Sequence, residues 1–328
     1  MNVKAVCAVA AALCAGLVSA KDPVDYVNTK IGTISHMLVP TFPTTQLPNG
    51  LLRVTPPNES FITESIGGFY LNVPSHRQGQ VFLMTPFSGD ASALRANMGS
   101  HYDHSIALPY RYSVYVENAE ATVELAPARR AAIYSVTFEN DKPRFVLLRP
   151  LQKGSFAVAG SSVSGTDDYH GITTYVYAEF DPAPVRVGAF DGDKADFAKS
   201  STHDSNRPVV AEFAPTAKTV RMRYGFSYIG AEQAKKNLSE EIKDFDLERL
   251  AKSARAEWNA ALGKIEVEGG SENDRAVFYT ALYRCHERMV NISEDGHYFS
   301  ALDNKVHEDG GTPFWTDDWT WDTYRAQH

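Results

Sequence analysis

The sequence has few cysteines and no excess of basic residues. Only three of its 328 residues are cysteine, and two of them, Cys7 and Cys14, lie in an apolar N-terminal segment. Once that segment is removed, as predicted below, Cys285 is the one cysteine left and cannot form an intramolecular disulfide, so a hydrophobic core rather than crosslinks must stabilise the fold. The 40 Asp and Glu residues outnumber the 32 Lys and Arg residues, which gives a net charge of −8. This charge disfavours nucleic-acid binding, because that function needs a basic face for the phosphates.

The apolar run near the N-terminus is too short to span a membrane. It covers residues 5–18, whereas a transmembrane helix needs about 20 residues. Lys4 precedes this run and Val18-Ser19-Ala20 ends it, as is typical of a secretory signal peptide. We therefore predict that residues 1–20 are removed, that the protein is secreted or periplasmic, and that the mature chain has no transmembrane segment. No P-loop, dinucleotide fingerprint or paired CxxC motif supports a nucleotide-binding or zinc-finger function.

Residues 21–229 have the pattern of a β-sheet domain. Short apolar or alternating runs, separated by Pro, Gly, Asn and Asp, recur about every ten residues. This spacing predicts an antiparallel β-sandwich. The predicted strands are 111–116, 121–125, 131–138, 144–148, 173–180, 185–190, 209–213 and 219–228, with the proline-bearing stretches 54–58 and 71–75 as edges or loops.

The composition then changes, and Ala, Glu, Lys and Leu become frequent. An apolar stripe at helical spacing ends before Gly263, so residues 230–264 are predicted to form a helical linker that packs on the β domain. Ser271 and Asp274 have the spacing of a capping box, which predicts a helix that opens a further domain over residues 265–328. The stripe consists of Leu247, Leu250, Ala251, Ala254, Trp258 and Leu262.

The stretch 314–325 combines tryptophan with aspartate. Three of the four tryptophans, Trp315, Trp319 and Trp321, lie there beside three aspartates. Aromatic rings stack on the C–H face of a sugar, and carboxylates accept hydrogen bonds from its hydroxyl groups. The stretch therefore predicts a saccharide-binding surface. The alternative is that its aromatic side chains belong to a hydrophobic core.

Five blocks of the sequence follow the order found in one enzyme family. The two specific blocks are Phe278-Tyr279-Thr280-Ala281-Leu282-Tyr283 and Trp321-Asp322-Thr323-Tyr324-Arg325, and the looser ones are Phe42-Pro43, Gly68-Phe69 and Leu108-Pro109-Tyr110-Arg111-Tyr112. Together they resemble glycoside hydrolase family 92, the calcium-dependent exo-α-mannosidases. The resemblance implies a mixed, mainly β fold. It consists of an N-terminal antiparallel β-sandwich, a helical linker, and the beginning of an (α/α)6 barrel that is truncated at the end of this sequence.

The resemblance also implies a function and a substrate. Members of the family remove terminal mannose with inversion, so the implied partner is a mannose-terminated N-glycan or mannan, with an α-1,2 linkage as the expected one. Calcium is the implied cofactor. In the family, the general acid (a Glu), the general base (an Asp) and most of the calcium-binding positions follow well after the WDTYR motif. We therefore expect them beyond His328, and we expect this chain alone to be inactive.

The residues that the resemblance assigns to the site belong to substrate binding. Asp322 is implied to bind hydroxyl groups of the terminal mannose, while Trp321 and Arg325 shape that segment. Asp318 and Trp315 are added from composition, and His36 is expected to reach the site from the β domain. One departure from the family pattern lies nearby, because residues 42–50 lack the usual small pair and Pro-Phe-Gly.

Three further features have a simpler interpretation. Asp191–Asp196 lacks the glycine and the glutamate of a calcium-binding EF-hand loop, so we interpret it as a solvated turn. His101–His104 offers metal or sugar ligands, but its setting favours a surface loop. Cys285 is expected to be a small buried residue.

Two other functions remain open at this point. The first is a non-catalytic carbohydrate-binding or structural β-sandwich module, since the catalytic residues of the family are expected outside this sequence. The second is a β-sandwich adhesion or transport module with a helical tail.

Overall fold

The computed structural model of the protein describes residues 21–34, 41–54, 64–74 and 79–316. The predicted signal peptide lies outside this range, as do the WDTYR block and His36.

Twenty strands and three α-helices make up the described part of the chain. The strands are β1 (Thr45–Gln46), β2 (Arg53–Val54), β3 (Ser65–Ile66), β4 (Phe69–Asn72), β5 (Val81–Ser88), β6 (Ser100–Leu108), β7 (Arg111–Val116), β8 (Ala121–Pro127), β9 (Ala131–Phe138), β10 (Arg144–Arg149), β11 (Gly154–Ala159), β12 (Ser162–Tyr169), β13 (Ile172–Asp181), β14 (Arg186–Asp191), β15 (Lys194–Asp196), β16 (Ser201–Ser205), β17 (Val209–Phe213), β18 (Thr219–Ser227), β19 (His297–Ser300) and β20 (Lys305–Glu308). The helices are α1 (Ala231–Glu241), α2 (Leu247–Leu262) and α3 (Glu272–Cys285).

Two large antiparallel sheets pack face to face and confirm the predicted β-sandwich. The larger has the order β16-β11-β12-β13-β18-β9-β8-β7-β6-β3, and the smaller has the order β15-β14-β17-β10-β5-β4. Aromatic side chains meet between them: the Phe82 ring of β5 lies 5.6 Å from Phe156 of the larger sheet, and Phe180 lies 5.3 Å from Phe213. Because side chains alternate between the faces of a strand, each sheet supplies one apolar face to this core.

Several strand predictions succeed where apolar residues alternate or run together, but β5, which is mostly apolar and buried, is not among the predicted strands. The predicted stretches 111–116, 131–138 and 209–213 coincide with β7, β9 and β17. The proline-bearing stretch 71–75 overlaps β4, which lies at an edge of the smaller sheet as predicted.

The stretch 101–104 is part of a strand, so its prediction as a surface loop is wrong. It belongs to β6, which pairs antiparallel with β7. His101 and His104 are exposed, and the register shifts between Asp103 and Ile106. With both faces polar at this end of the strand, the sequence shows no alternation that would reveal it.

The predicted linker contains two helices. α1 ends at Glu241, and the next residue, Ile242, has an extended backbone. The side chain of Asp246 caps the start of α2 by accepting a hydrogen bond from Arg249 N at 2.9 Å. Ser271 and Asp274 form the predicted capping box at the start of α3. None of the helices in the described ranges is long and apolar enough to cross a membrane.

Helix α2 joins the sandwich to the rest of the helical region. Its first half packs Leu247 and Ala251 against Ala126 and Ile133 of the larger sheet. In its second half, the buried apolar residues share a cluster with α3 and with the start of the described chain. The members of that cluster are Val24, Val27, Trp258, Leu262, Tyr279 and Tyr283. The apolar stripe therefore contacts the β domain as predicted, and in its second half Trp258 Nε1 also donates to the carbonyl oxygen of Gln46 in β1 at 2.7 Å.

Cys285 is exposed at the end of α3, so the prediction that it is buried is wrong. The helix buries Tyr279, Thr280 and Tyr283. Residues two positions apart on a helix point in different directions, and Cys285 therefore faces away from the side that Tyr283 buries.

Residues 21–30, called the N-terminal segment below, form hydrogen bonds with helices α2 and α3 and with strand β6. Val24 N donates to Asn259 Oδ1 of α2 at 3.1 Å, and Asn28 N donates to Thr280 Oγ1 of α3 at 2.9 Å. On the sandwich side, Thr29 Oγ1 donates to the carbonyl oxygen of Ala107 in β6. Arg255 of α2 forms ion pairs with Asp22 and Asp25 and thereby also binds the N-terminal segment to α2.

A buried carboxylate fixes the connection between β5, β10 and β12. Asp167 is 1% exposed, and its oxygens accept four backbone N–H groups. The donors are Phe82 N (2.9 Å), Leu151 N (2.7 Å), Gln152 N (3.0 Å) and Asp168 N (2.9 Å).

We expect Asp167→Ala to lower the free energy of unfolding by about 3–5 kcal/mol, because buried N–H groups lose their acceptor. Chemical denaturation measures the change. The matched control is Asp168→Ala, whose carboxylate accepts one N–H, from Gly171, and we expect a loss of about 1 kcal/mol or less. Equal losses in the two variants would contradict this assignment.

Candidate functional site

A buried polar network joins the loop before β1 to the end of α3. Thr44 Oγ1 donates to Glu287 Oε1 at 2.7 Å and lies 2.6 Å from the hydroxyl oxygen of Tyr283. The Tyr283 hydroxyl donates to the carbonyl oxygen of Thr44 at 2.7 Å, and Arg284 forms an ion pair with Glu287. Burial raises the pKa of Tyr283, so its hydroxyl remains a donor at neutral pH.

Arg53 of β2 extends this network into the sandwich. Its side chain is almost completely enclosed, at 3% exposure. Nε donates to Gln46 Oε1 at 2.9 Å, and Nη2 donates to the carbonyl oxygen of Glu287. Burial lowers the pKa of Arg53, while the charge of Glu287 opposes that shift. The network thus binds both the side chain and the backbone of Glu287 to the β domain.

A second buried glutamate, Glu294, lies where α1 meets the larger sheet. It accepts hydrogen bonds from Tyr228 N at 2.9 Å and from Asn237 Nδ2 at 2.7 Å. Burial raises the pKa of Glu294. Both buried glutamates therefore hold the segment 287–294 firmly at its two ends.

Trp315 lies on a short stretch of chain that pairs with this fixed segment. Ile292 N donates to the carbonyl oxygen of Phe314 at 3.0 Å, and Thr316 N donates to that of Val290 at 2.9 Å. Val290 N donates in turn to Thr316 Oγ1 at 3.0 Å. These hydrogen bonds hold residues 314–316, called the Trp315 strand below, against residues 290–292. The Trp315 strand is the first part of the stretch 314–325 that is rich in Trp and Asp.

The aromatic rings of this strand are available at the surface of the described residues. Trp315 and Phe314 are each 43% exposed. The Phe314 ring stacks on that of Tyr298, with the centroids 3.9 Å apart and the planes within 5°. Trp315 is therefore not part of a core here, which suits the predicted role of stacking on a sugar.

The other predicted site residues lie outside the described ranges. These are His36, Asp318, Trp321, Asp322 and Arg325. Their roles therefore stay predictions. The structure adds the position of residues 314–316, which precede these residues in the chain and pair with residues 290–292.

Sequence reasoning missed the residues that build this framework. Arg53 and Glu287 look like ordinary surface charges in the sequence, because nothing local distinguishes a charge that tertiary contacts will bury. Thr44 belongs to residues 42–50, the stretch that departs from the family pattern. That departure was the one signal pointing to this loop.

The described residues contain no group of three or more His, Cys, Asp or Glu side chains arranged to hold a metal ion. Asp191–Asp196 forms the end of β14, a turn and β15, and Asp191 pairs with Lys199. It is therefore the solvated turn that we predicted. The buried carboxylates Asp167, Glu287 and Glu294 all accept hydrogen bonds from protein donors.

Comparison with known proteins decides the family. A model of the glycosyl hydrolase family 92 N-terminal domain matches residues 26–227, and a model of the family 92 catalytic domain matches residues 233–328. The chain belongs to glycosyl hydrolase family 92. This confirms the resemblance carried by the five sequence blocks.

Solved structures of family 92 have the same fold. An inverting mannosidase of the family from Bacteroides thetaiotaomicron is 25% identical, with a TM-score of 0.84 over 94% of this chain and 45% of that one. An α-mannosidase of the same family and organism, in complex with mannoimidazole, is 20% identical, with a TM-score of 0.83 over 93% of this chain and 45% of that one. The family hydrolase ccman5 is 21% identical, with a TM-score of 0.79 over 92% of this chain and 45% of that one.

The chain thus spans less than half the length of these structures. A comparison with curated protein sequences found no match. The β-sandwich is shared with the family, whereas the (α/α)6 barrel remains a prediction.

We expect Glu287→Gln to lower the free energy of unfolding by about 3 kcal/mol, because it leaves buried arginines without their counter-charge. Thermal and chemical denaturation measure the change. Glu272→Gln is the matched control, since that glutamate pairs with Lys21 at the surface, and exposed pairs contribute little. A network of no structural importance would give two variants of the same stability.

Proposed function

We propose that this chain contributes the β-sandwich and the first helical elements of an exo-acting α-mannosidase. The substrate is a mannose-terminated N-glycan or mannan, with an α-1,2 linkage, and the reaction inverts the anomeric carbon. One observation carries the proposal: models of both family 92 domains match in order, over residues 26–227 and 233–328. The relative that is 25% identical is an inverting mannosidase, which supports the reaction class.

The proposed reaction needs two carboxyl groups on opposite sides of the glycosidic bond. In an inverting glycosidase they lie about 6.5–9.5 Å apart, so that a water fits between one of them and the sugar. One group protonates the leaving oxygen, and the other takes a proton from the attacking water. The proposal assigns the acid and the base to residues outside the described ones, as the family resemblance implies.

The proposal gives this chain the task of holding the terminal sugar. Trp315 offers an exposed ring for the C–H face of mannose. Asp322 accepts hydrogen bonds from the sugar hydroxyls, and Trp321 and Arg325 shape that segment. Asp318 and His36 complete the proposed contacts.

Calcium is the proposed cofactor, although no described residues form a site for it. When bound, Ca²⁺ accepts oxygen ligands that include sugar hydroxyls and helps to distort the ring. The proposal also includes secretion or export to the periplasm, directed by residues 1–20, which are then removed.

The sugar-binding role predicts that Asp322→Ala weakens binding of methyl α-mannoside by about tenfold or more, because a charged acceptor of hydroxyl groups is lost. Isothermal titration calorimetry on the 328-residue chain measures the dissociation constant. Asp309→Ala, at another aspartate of the same region, is the control and leaves binding unchanged. Equal affinities in wild type and Asp322→Ala would remove Asp322 from the site.

The exposed ring of Trp315 would also serve a second function, that of a non-catalytic carbohydrate-binding module. The two functions differ in the sugar that they recognise. An exo-acting site needs the free hydroxyls of a terminal mannose, so we expect α-1,2-mannobiose to bind and the same disaccharide capped by a glucosyl residue to lose at least about tenfold in affinity. Calorimetry with both ligands measures the ratio, and equal binding would favour the module.

A further inference from the structure

Asn49 makes four hydrogen bonds to the segment that follows α3. Its backbone N donates to the carbonyl oxygen of His286 at 2.9 Å, and its carbonyl oxygen accepts from Asn291 N at 3.1 Å. Its side-chain Nδ2 donates to the carbonyl oxygen of Met289 at 2.7 Å, and Oδ1 lies 2.9 Å from the ring Nδ1 of His286. One residue of the β domain thus fixes three successive points of residues 286–291.

These contacts lie on the opposite edge of the segment from the Trp315 strand. Asn291 N donates towards Asn49, whereas Ile292 N and Val290 N donate towards residues 314–316. N–H groups that alternate in direction in this way are typical of the middle strand of a sheet. Residues 290–292 are therefore held between Asn49 and the Trp315 strand.

Asn49 also has a backbone conformation that few residues adopt. Its φ is 55°, in the left-handed region, where asparagine and glycine are favoured over other residues. The side-chain bonds therefore require a residue that tolerates this conformation and also carries an amide. Asparagine meets both conditions, and glycine meets only the first.

From these contacts we infer that Asn49 is a positioning residue for sugar binding: it fixes residues 286–291, and through them the Trp315 strand, against the β domain. The part of the inference that concerns sugar rests on the proposed function. The positioning of the strand rests on the hydrogen bonds alone.

The test compares Asn49→Gly with Asn304→Gly. Glycine keeps the left-handed backbone and its two backbone hydrogen bonds at position 49 and removes only the two side-chain bonds. Asn304 has the same conformation, with φ 54°, and is exposed between β19 and β20, so its replacement controls for the change to glycine. Hydrogen exchange of the backbone amides and calorimetry with methyl α-mannoside are measured on both variants of the 328-residue chain.

In Asn49→Gly we expect the amides of Asn291, Ile292 and Thr316 to exchange about tenfold faster, while amides in β9 and β13 are unchanged. We expect binding of methyl α-mannoside to weaken about three- to tenfold. Asn304→Gly leaves both quantities as they are in wild type.

Unchanged exchange at Asn291, Ile292 and Thr316 would overturn the inference, as would faster exchange throughout the sandwich, which indicates a general loss of stability. Faster exchange with unchanged mannoside affinity would overturn its sugar-binding part. If the local exchange accelerates but wild type itself binds no mannoside, the positioning of the strand is supported and the proposed function fails.

Discussion

The buried carboxylate of Glu287 is the constraint on which the junction between the sandwich and the helical region depends. A buried charge is tolerated only when it is paired and hydrogen-bonded. The partners of Glu287 come from both sides: Thr44 from the β domain, Arg284 from α3, and Arg53 through the backbone carbonyl. Separating the two regions would remove the Thr44 hydrogen bond from Glu287 and the Glu287 carbonyl oxygen from the buried Arg53, so their relative position is set more sharply than apolar packing alone would set it.

Much of the sandwich could be predicted from sequence because its strands bury one or both faces. β7, β9 and β17 show this as alternating or continuous apolar residues, and the prediction of each coincides with the strand. β6 was missed where His101 and His104 leave it without a buried face. The capping box of α3 is also readable from sequence, since its two members are three residues apart and need no tertiary partner.

The site was less predictable, because its framework is made by contacts between distant parts of the chain. The exposure of Trp315 agrees with its composition-based prediction as a surface residue, while its role in sugar binding stays a prediction. Nothing near Arg53 or Glu287 in sequence indicates that they meet, since burial of a charge is decided by partners more than 200 residues away. The exposure of Cys285 was missed for a related reason: a helical pattern shows which residues share a face but not which face is covered.

The N-terminal segment has a consequence for the order of folding. Its hydrogen bonds to Asn259 and Thr280 span sequence separations of 235 and 252 positions, respectively. Contacts of such long range form late and slowly. During synthesis, at about 5–20 residues per second, the segment waits on the order of 10–50 s before α2 and α3 exist for it to bind. The apolar cluster around Trp258 is completed only then. Until that moment, Val24 and Val27 lack the apolar partners on α2 and α3 that cover them in the folded protein.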